Sequence, residues 1–144
     1  MSTEKYDKIK RSRYRAQIND RNDCSVVSIA LACRVSYKEA HLECWEHGRK
    51  NRHGMLTPDI LEVARDLGFH VIPVARMVQS NGSKYTPKTI GQKLKAGYYL
   101  VFCRGHVFTV INGAVHDWTQ GREHHITSAY KIVRKSKDIS LDIF

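Results

Sequence analysis

Apolar and polar positions along this chain follow a helical period first and a strand period afterwards, with the change near residue 69. The run CSVVSIALAC (24–33) is apolar on nearly every side, which predicts a helix at the centre of a domain. Its β-branched residues also suit a strand. Asn22 or Asp23 stands where a cap is needed. Ser36 and Glu39 have capping-box spacing, and Tyr37, Ala40, His41 and Cys44 recur behind them at helical intervals. Thr57 and Pro58 predict the cap and first position of a third helix. Its buried stripe is Ile60, Leu61, Ala64 and Leu67, and Gly68 stops it.

Phe69 to Ala75 reads as a strand, and Pro73 inside it points to a sheet edge. A loop over 76–86 and a short helix over Pro87 to Ala96 follow. The last third alternates with period two. Tyr98 to Cys103 and His106 to Ile111 are predicted strands around an Arg104-Gly105 turn. Asn112-Gly113 then joins Ile111 to a strand over Ala114 to Trp118, a strong hairpin signal. Ile126 to Val133 can close the sheet. Helices first and antiparallel strands second make the fold class α+β.

The chain divides into a basic arm (1–16), one domain (17–134) and a lysine-bearing tail (135–144), where Ile139, Leu141, Ile143 and Phe144 are able to dock. The arm carries Lys5, Lys8, Lys10, Arg11, Arg13 and Arg15 with Tyr6 and Tyr14 between them. It either frays, orders on a partner or serves as a solubilising tail. Apolar residues make up 42% of 144 residues, enough for a real core. No apolar run is long enough to cross a bilayer, and MSTEKYDKIKRSRYR has no apolar segment of the secretory kind. The four cysteines form no CxxC pair, so they read as free thiols of a cytoplasmic protein. The net charge of +10 attracts nucleic acid, anionic membrane or an acidic partner without saying which, or is only a solvated Lys/Arg face. A gripping surface for nucleic acid or an acidic protein would be the arm, the GRKNRHG loop (48–54) and the tail. No zinc-finger spacing and no RNA-recognition signature accompanies it.

Cys24 is the first candidate for chemistry. It opens an apolar helix, where free N–H groups and the helix dipole favour a thiolate. A cysteine nucleophile needs a base and a group that orients the base. The Asn112-Gly113 turn pairs Ile111 with Ala114, and hence Phe108 with Asp117 and His106 with Thr119. His106 and Asp117 then share a face as diagonal neighbours about 7–8 Å apart at the backbone, within reach of two side chains. A register one residue off would put His116 on that face instead. Outside that role, His116 reads as an exposed strand histidine. Trp118, beside Asp117, either shields the acid–imidazole pair from water or is an ordinary sheet aromatic.

NDCSVVSIALA followed much later by GHVFTVINGAVHDW resembles the papain-like cysteine peptidases, above all the compact bacteriocin-leader (C39-like) peptidases and small phage-encoded papain-like proteins. The resemblance covers residues 17 to 119. It implies a papain-like fold with helices packed on an antiparallel sheet, and a cofactor-free thiol hydrolase acting on a peptide or protein substrate. Its compartment would be the cytoplasm, the host's if the chain is phage-encoded. By the same resemblance Cys24 is the nucleophile, His106 the base and Asp117 the orienting acid. Gln17 or Asn19 supplies the oxyanion amide, and Ser25 stands where the leader peptidases often have glycine.

Two other readings compete. Cys44, His47, His53, His124 and His125 contain zinc-binding residue types, but not the paired clusters of a structural site, so no metal is expected. Cys33 and Cys103 read as core residues, and His41 and His70 as packing or surface residues. The fold could also serve as a non-catalytic binding module that grips nucleic acid or an acidic host protein.

Overall fold

The computed structural model describes residues 3–136; the docking residues foreseen in the tail lie outside them. Five helices, α1 (Glu4–Lys10), α2 (Arg13–Gln17), α3 (Cys24–Ala32), α4 (Tyr37–Glu46) and α5 (Thr57–Asp66), precede five strands. These are β1 (Phe69–Pro73), β2 (Tyr98–Cys103), β3 (His106–Ile111), β4 (Ala114–His116) and β5 (Ile126–Arg134). They form one antiparallel sheet in the order β1-β5-β2-β3-β4, so the fold is α+β and the proline strand β1 is an edge. Among the described residues no helix is long and apolar enough to cross a membrane.

The sheet is covered on both faces, which is why β2 and β3 are buried along nearly their whole length. Leu100, Phe102 and Val107 point into the core shared with the helices. Val101, Phe108 and Val110 point into a second core closed by Ile90 and Leu94 from the long connection before β2. Helix α3 fills the middle of the first core: every residue from Ser25 to Ala32 is buried. It lies along β3, where the Thr109 hydroxyl donates 2.7 Å to the Ser28 carbonyl. Ser36 caps α4 by accepting from the Glu39 N–H, as its spacing predicts, whereas α5 begins one residue early with Leu56 at the cap position.

Three expectations are corrected. The arm is neither frayed nor waiting: Thr3 and Ser12 cap two short helices, and Tyr6 is buried in the core beside α3. The helix foreseen over 87–96 shrinks to a 3-10 turn at Ile90–Gln92, where Gly91 packs closely against the backbone of Gly113. Strand β4 stops at His116 rather than Trp118. There Asp117 Oδ2 accepts from both the N–H (3.2 Å) and the hydroxyl (2.7 Å) of Thr119, and this local turn takes the chain off the ladder.

Candidate active site

Cys24 is the first residue of α3, and its side chain meets the start of β3. The His106 imidazole and the Val107 N–H are its neighbours there, and both act on its thiol. His106 Nε2 lies 2.7 Å from Asp117 Oδ2, which leaves Nδ1 as the nitrogen for Cys24. The hairpin register is the one the Asn-Gly turn dictates, with Ile111 opposite Ala114 and Thr109 opposite His116. The ladder ends there, so the local turn at Thr119, not a continued strand, delivers Asp117 to the imidazole.

Burial alone would lower the pKa of His106, but its bonds to Asp117 and Cys24 outweigh burial and bring it up to about 9. Burial alone would raise the Cys24 thiol, yet the His106 and Val107 bonds bring it below its ordinary value. Both shifts favour a thiolate facing an imidazolium. The other thiols behave in the opposite way: burial pushes Cys33 and Cys44 up to about 12 and Cys103 to about 11. Trp118 lies against the imidazole, with ring centroids 5.2 Å apart and a tilt of 48°.

Gln17 and Asn19 are not brought to this site. Both are exposed, at and just after the end of α2, and neither lines the clefts at Cys24. The chain reverses at Asn19 and again at Asn22, each with φ near +53°, and this carries the earlier amides away. Asn22 is the amide residue that lines the clefts, its Nδ2 donating 3.3 Å to the Arg52 carbonyl. The signal for it was an asparagine two residues before the nucleophile, a residue type that tolerates positive φ. His116 is also elsewhere. It is buried rather than exposed, with Nδ1 2.6 Å from the Thr3 hydroxyl.

Sequence reasoning missed the scaffold behind Cys24. Asp23 occupies the cap position without capping; its carboxylate takes Arg15 Nε at 2.7 Å and lies 2.7 Å from the Tyr37 hydroxyl. Asp20 is gripped by both terminal nitrogens of Arg49 (2.8 and 3.0 Å) and by the Arg52 N–H at 2.7 Å. Burial would raise the Asp20 carboxyl, and these bonds hold it down at about 2. Arg49, expected on a solvated basic loop, is therefore buried. His41, expected in packing or at the surface, is buried against the same group, with Nε2 2.7 Å from Asn51 Oδ1.

Of the zinc-type residues, Cys44 is buried in the core and His47 bonds Asp66 at 2.8 Å. Among the described residues, Glu43, His47 and Asp66 are the set whose donor atoms converge, and His53, His124 and His125 are not part of it. Nothing matches this chain in comparisons with protein-family models, curated proteins or solved structures. The chemistry of the site is therefore the ground for any functional reading.

Proposed function

We propose that this chain is a papain-like thiol hydrolase that cleaves a peptide or related amide bond. The observation that carries the reading is the Cys24 thiol set beside His106, whose Nε2 lies 2.7 Å from Asp117 Oδ2, all three opening on clefts at a helix start. In this reading the Cys24 thiolate attacks the substrate carbonyl carbon. The Cys24 N–H, with the amide of Asn22, steadies the oxygen as it gains charge. When the C–N bond breaks, the His106 imidazolium gives its proton to the leaving nitrogen. The Cys24 acyl thioester is then opened by water. Imidazole takes the water's proton, the S–C bond breaks, and thiolate and imidazolium return. Asp117 keeps His106 in one orientation and stabilises its cationic form.

Labelling with iodoacetamide tests this. Cys24 is expected to react far faster than Cys33, Cys44 and Cys103, whose thiols burial holds protonated. Equal, slow labelling of all four would overturn the reading and leave the fold as a binding module.

A further inference from the structure

Two clefts meet at Asn22, Cys24, Gly105 and His106, and their walls differ in chemistry. One, of about 500 Å³, is lined by Met55, Leu56, Ile60 and Phe102. Leu56 is 73% exposed there, an apolar side chain with little of its own fold to cover it. Ser25, also in this wall, has a buried hydroxyl without a hydrogen-bond partner. The other cleft, of about 460 Å³, is lined by Lys10, Arg104, Trp118 and His124. Its two acids are already engaged, Asp23 by Arg15 and Asp117 by His106. Lys10 and Arg104 have no carboxylate partner among the described residues. Arg122, 5.7 Å from the Trp118 ring centroid, adds positive charge behind the tryptophan.

Lys10 comes from α1 and Arg104 from the β2–β3 turn, so the fold brings two distant cations to one side of the nucleophile. Lys10 Nζ lies 5.7 Å from the Tyr6 ring centroid, and cations without a carboxylate partner in a cleft with an apolar wall concentrate anions there. We propose that the substrate carries a carboxylate, held between Lys10 and Arg104, on the Trp118 side of the scissile bond. On the other side it carries an apolar side chain, seated against Met55, Leu56, Ile60 and Phe102. That the ligand is a substrate rests on the hydrolase reading; its chemistry rests on the two clefts alone. An acidic side chain and a free C-terminal carboxylate share that chemistry.

Two measurements on the full chain test this without needing turnover. The first is the ratio of Cys24 alkylation by iodoacetate to that by iodoacetamide. It is expected to fall about tenfold in K10E/R104E, and to fall in the unaltered chain as salt is raised. A ratio indifferent to both would overturn the proposal. The second is the affinity of the Cys24→Ala chain for fluorescent peptides bearing an apolar residue followed by Glu or by Lys, each with a free or an amidated C-terminus. The Glu or free-carboxylate peptides should bind about tenfold tighter than amidated Lys peptides, with the order reversed in K10E/R104E. Amidation separates the side chain from the terminus as the recognised group. Equal affinity for all peptides, or protection of Cys24 by oligothymidylate but not by acidic peptides, would overturn the proposal. Peptide cleavage without preference for an acid would also overturn it while leaving the hydrolase reading intact. Charge-selective binding without cleavage would do the reverse.

Discussion

Two buried polar clusters flank the start of α3, and both are made of carboxylates facing cations. In the first, Asp20 and Asp23 are matched by Arg49 and Arg15, with Tyr37 lying 2.9 and 2.7 Å from the two carboxylates. Both oxygens of Asp20 meet donors, and Asp20 and Arg49 are shut away from solvent. In the second, Asp117 is matched by His106, but the series ends on the Cys24 sulfur, which faces the clefts. Compensation is complete in one cluster and unfinished in the other. The closed cluster fixes the chain path into Cys24; the open one leaves the Cys24 sulfur facing the clefts.

The comparison breaks hardest at Arg49. In Arg49→Ala the Asp20 carboxylate keeps its burial and loses its guanidinium, and an uncompensated buried charge of this kind costs about 3–5 kcal/mol. Urea unfolding should show that loss, and selective labelling of Cys24 should fade as residues 20–23 loosen. A loss below about 1 kcal/mol, the range of an exposed pair, would mean that the cluster is not closed.

His106→Ala attacks the open cluster and should weigh on reactivity more than on stability. The thiol loses the bond that lowers its pKa, so burial takes over and pushes it up. Alkylation of Cys24 near neutral pH should slow by about a hundredfold, the usual scale for loss of a positioned base. Stability should fall less than in Arg49→Ala, because Asp117 keeps both Thr119 bonds and the imidazole it loses is only partly buried. A rate within twofold of the unaltered chain would show that His106 does not activate the thiol.

The open cluster was legible in the sequence because each of its members has a local marker. Cys24 opens an apolar run, His106 opens a strand, and the Asn112-Gly113 turn sets the register that brings Asp117 near. The closed cluster has no such marker. Arg49 sits in GRKNRHG, where one buried guanidinium looks like any solvated cation, and its partner is 29 positions away. Gln17 and Asn19 failed for a related reason: spacing along the chain does not reveal two positive-φ reversals before the nucleophile.

Gly91 was equally silent in the sequence, although the hairpin that carries Asp117 leans on it. A Cβ at Gly91 would collide with the Gly113 carbonyl oxygen, which is backbone and cannot swing aside. Gly91→Ala should therefore destabilise the chain by about 1–3 kcal/mol. It should also slow Cys24 alkylation, since the turn it displaces sets where Asp117 falls. A normal labelling rate in a destabilised variant would detach the hairpin's position from the chemistry.

The smallest change, Asp117→Asn, separates charge from shape. The amide oxygen can still accept from Thr119 and from His106 Nε2, so the hydrogen bonds survive while the negative charge goes. In the unaltered chain His106 is held at about 9 against an ordinary 6.5. The stability this provides is complete below pH 6.5 and is lost as pH rises through about 9. The closed cluster has the mirror-image dependence. With Asp20 at about 2 rather than 3.8, its contribution is complete above 3.8 and is lost as pH falls through about 2. Asp117→Asn should therefore leave the acid limb of a urea midpoint-versus-pH curve in place and move only the alkaline limb, toward pH 6.5. Near neutral pH, Cys24 alkylation should fall by about tenfold, since a positioned but uncharged partner stabilises the imidazolium less. If both limbs moved together, the two clusters would be one coupled network, and the division between a closed scaffold and an open site would have to be abandoned.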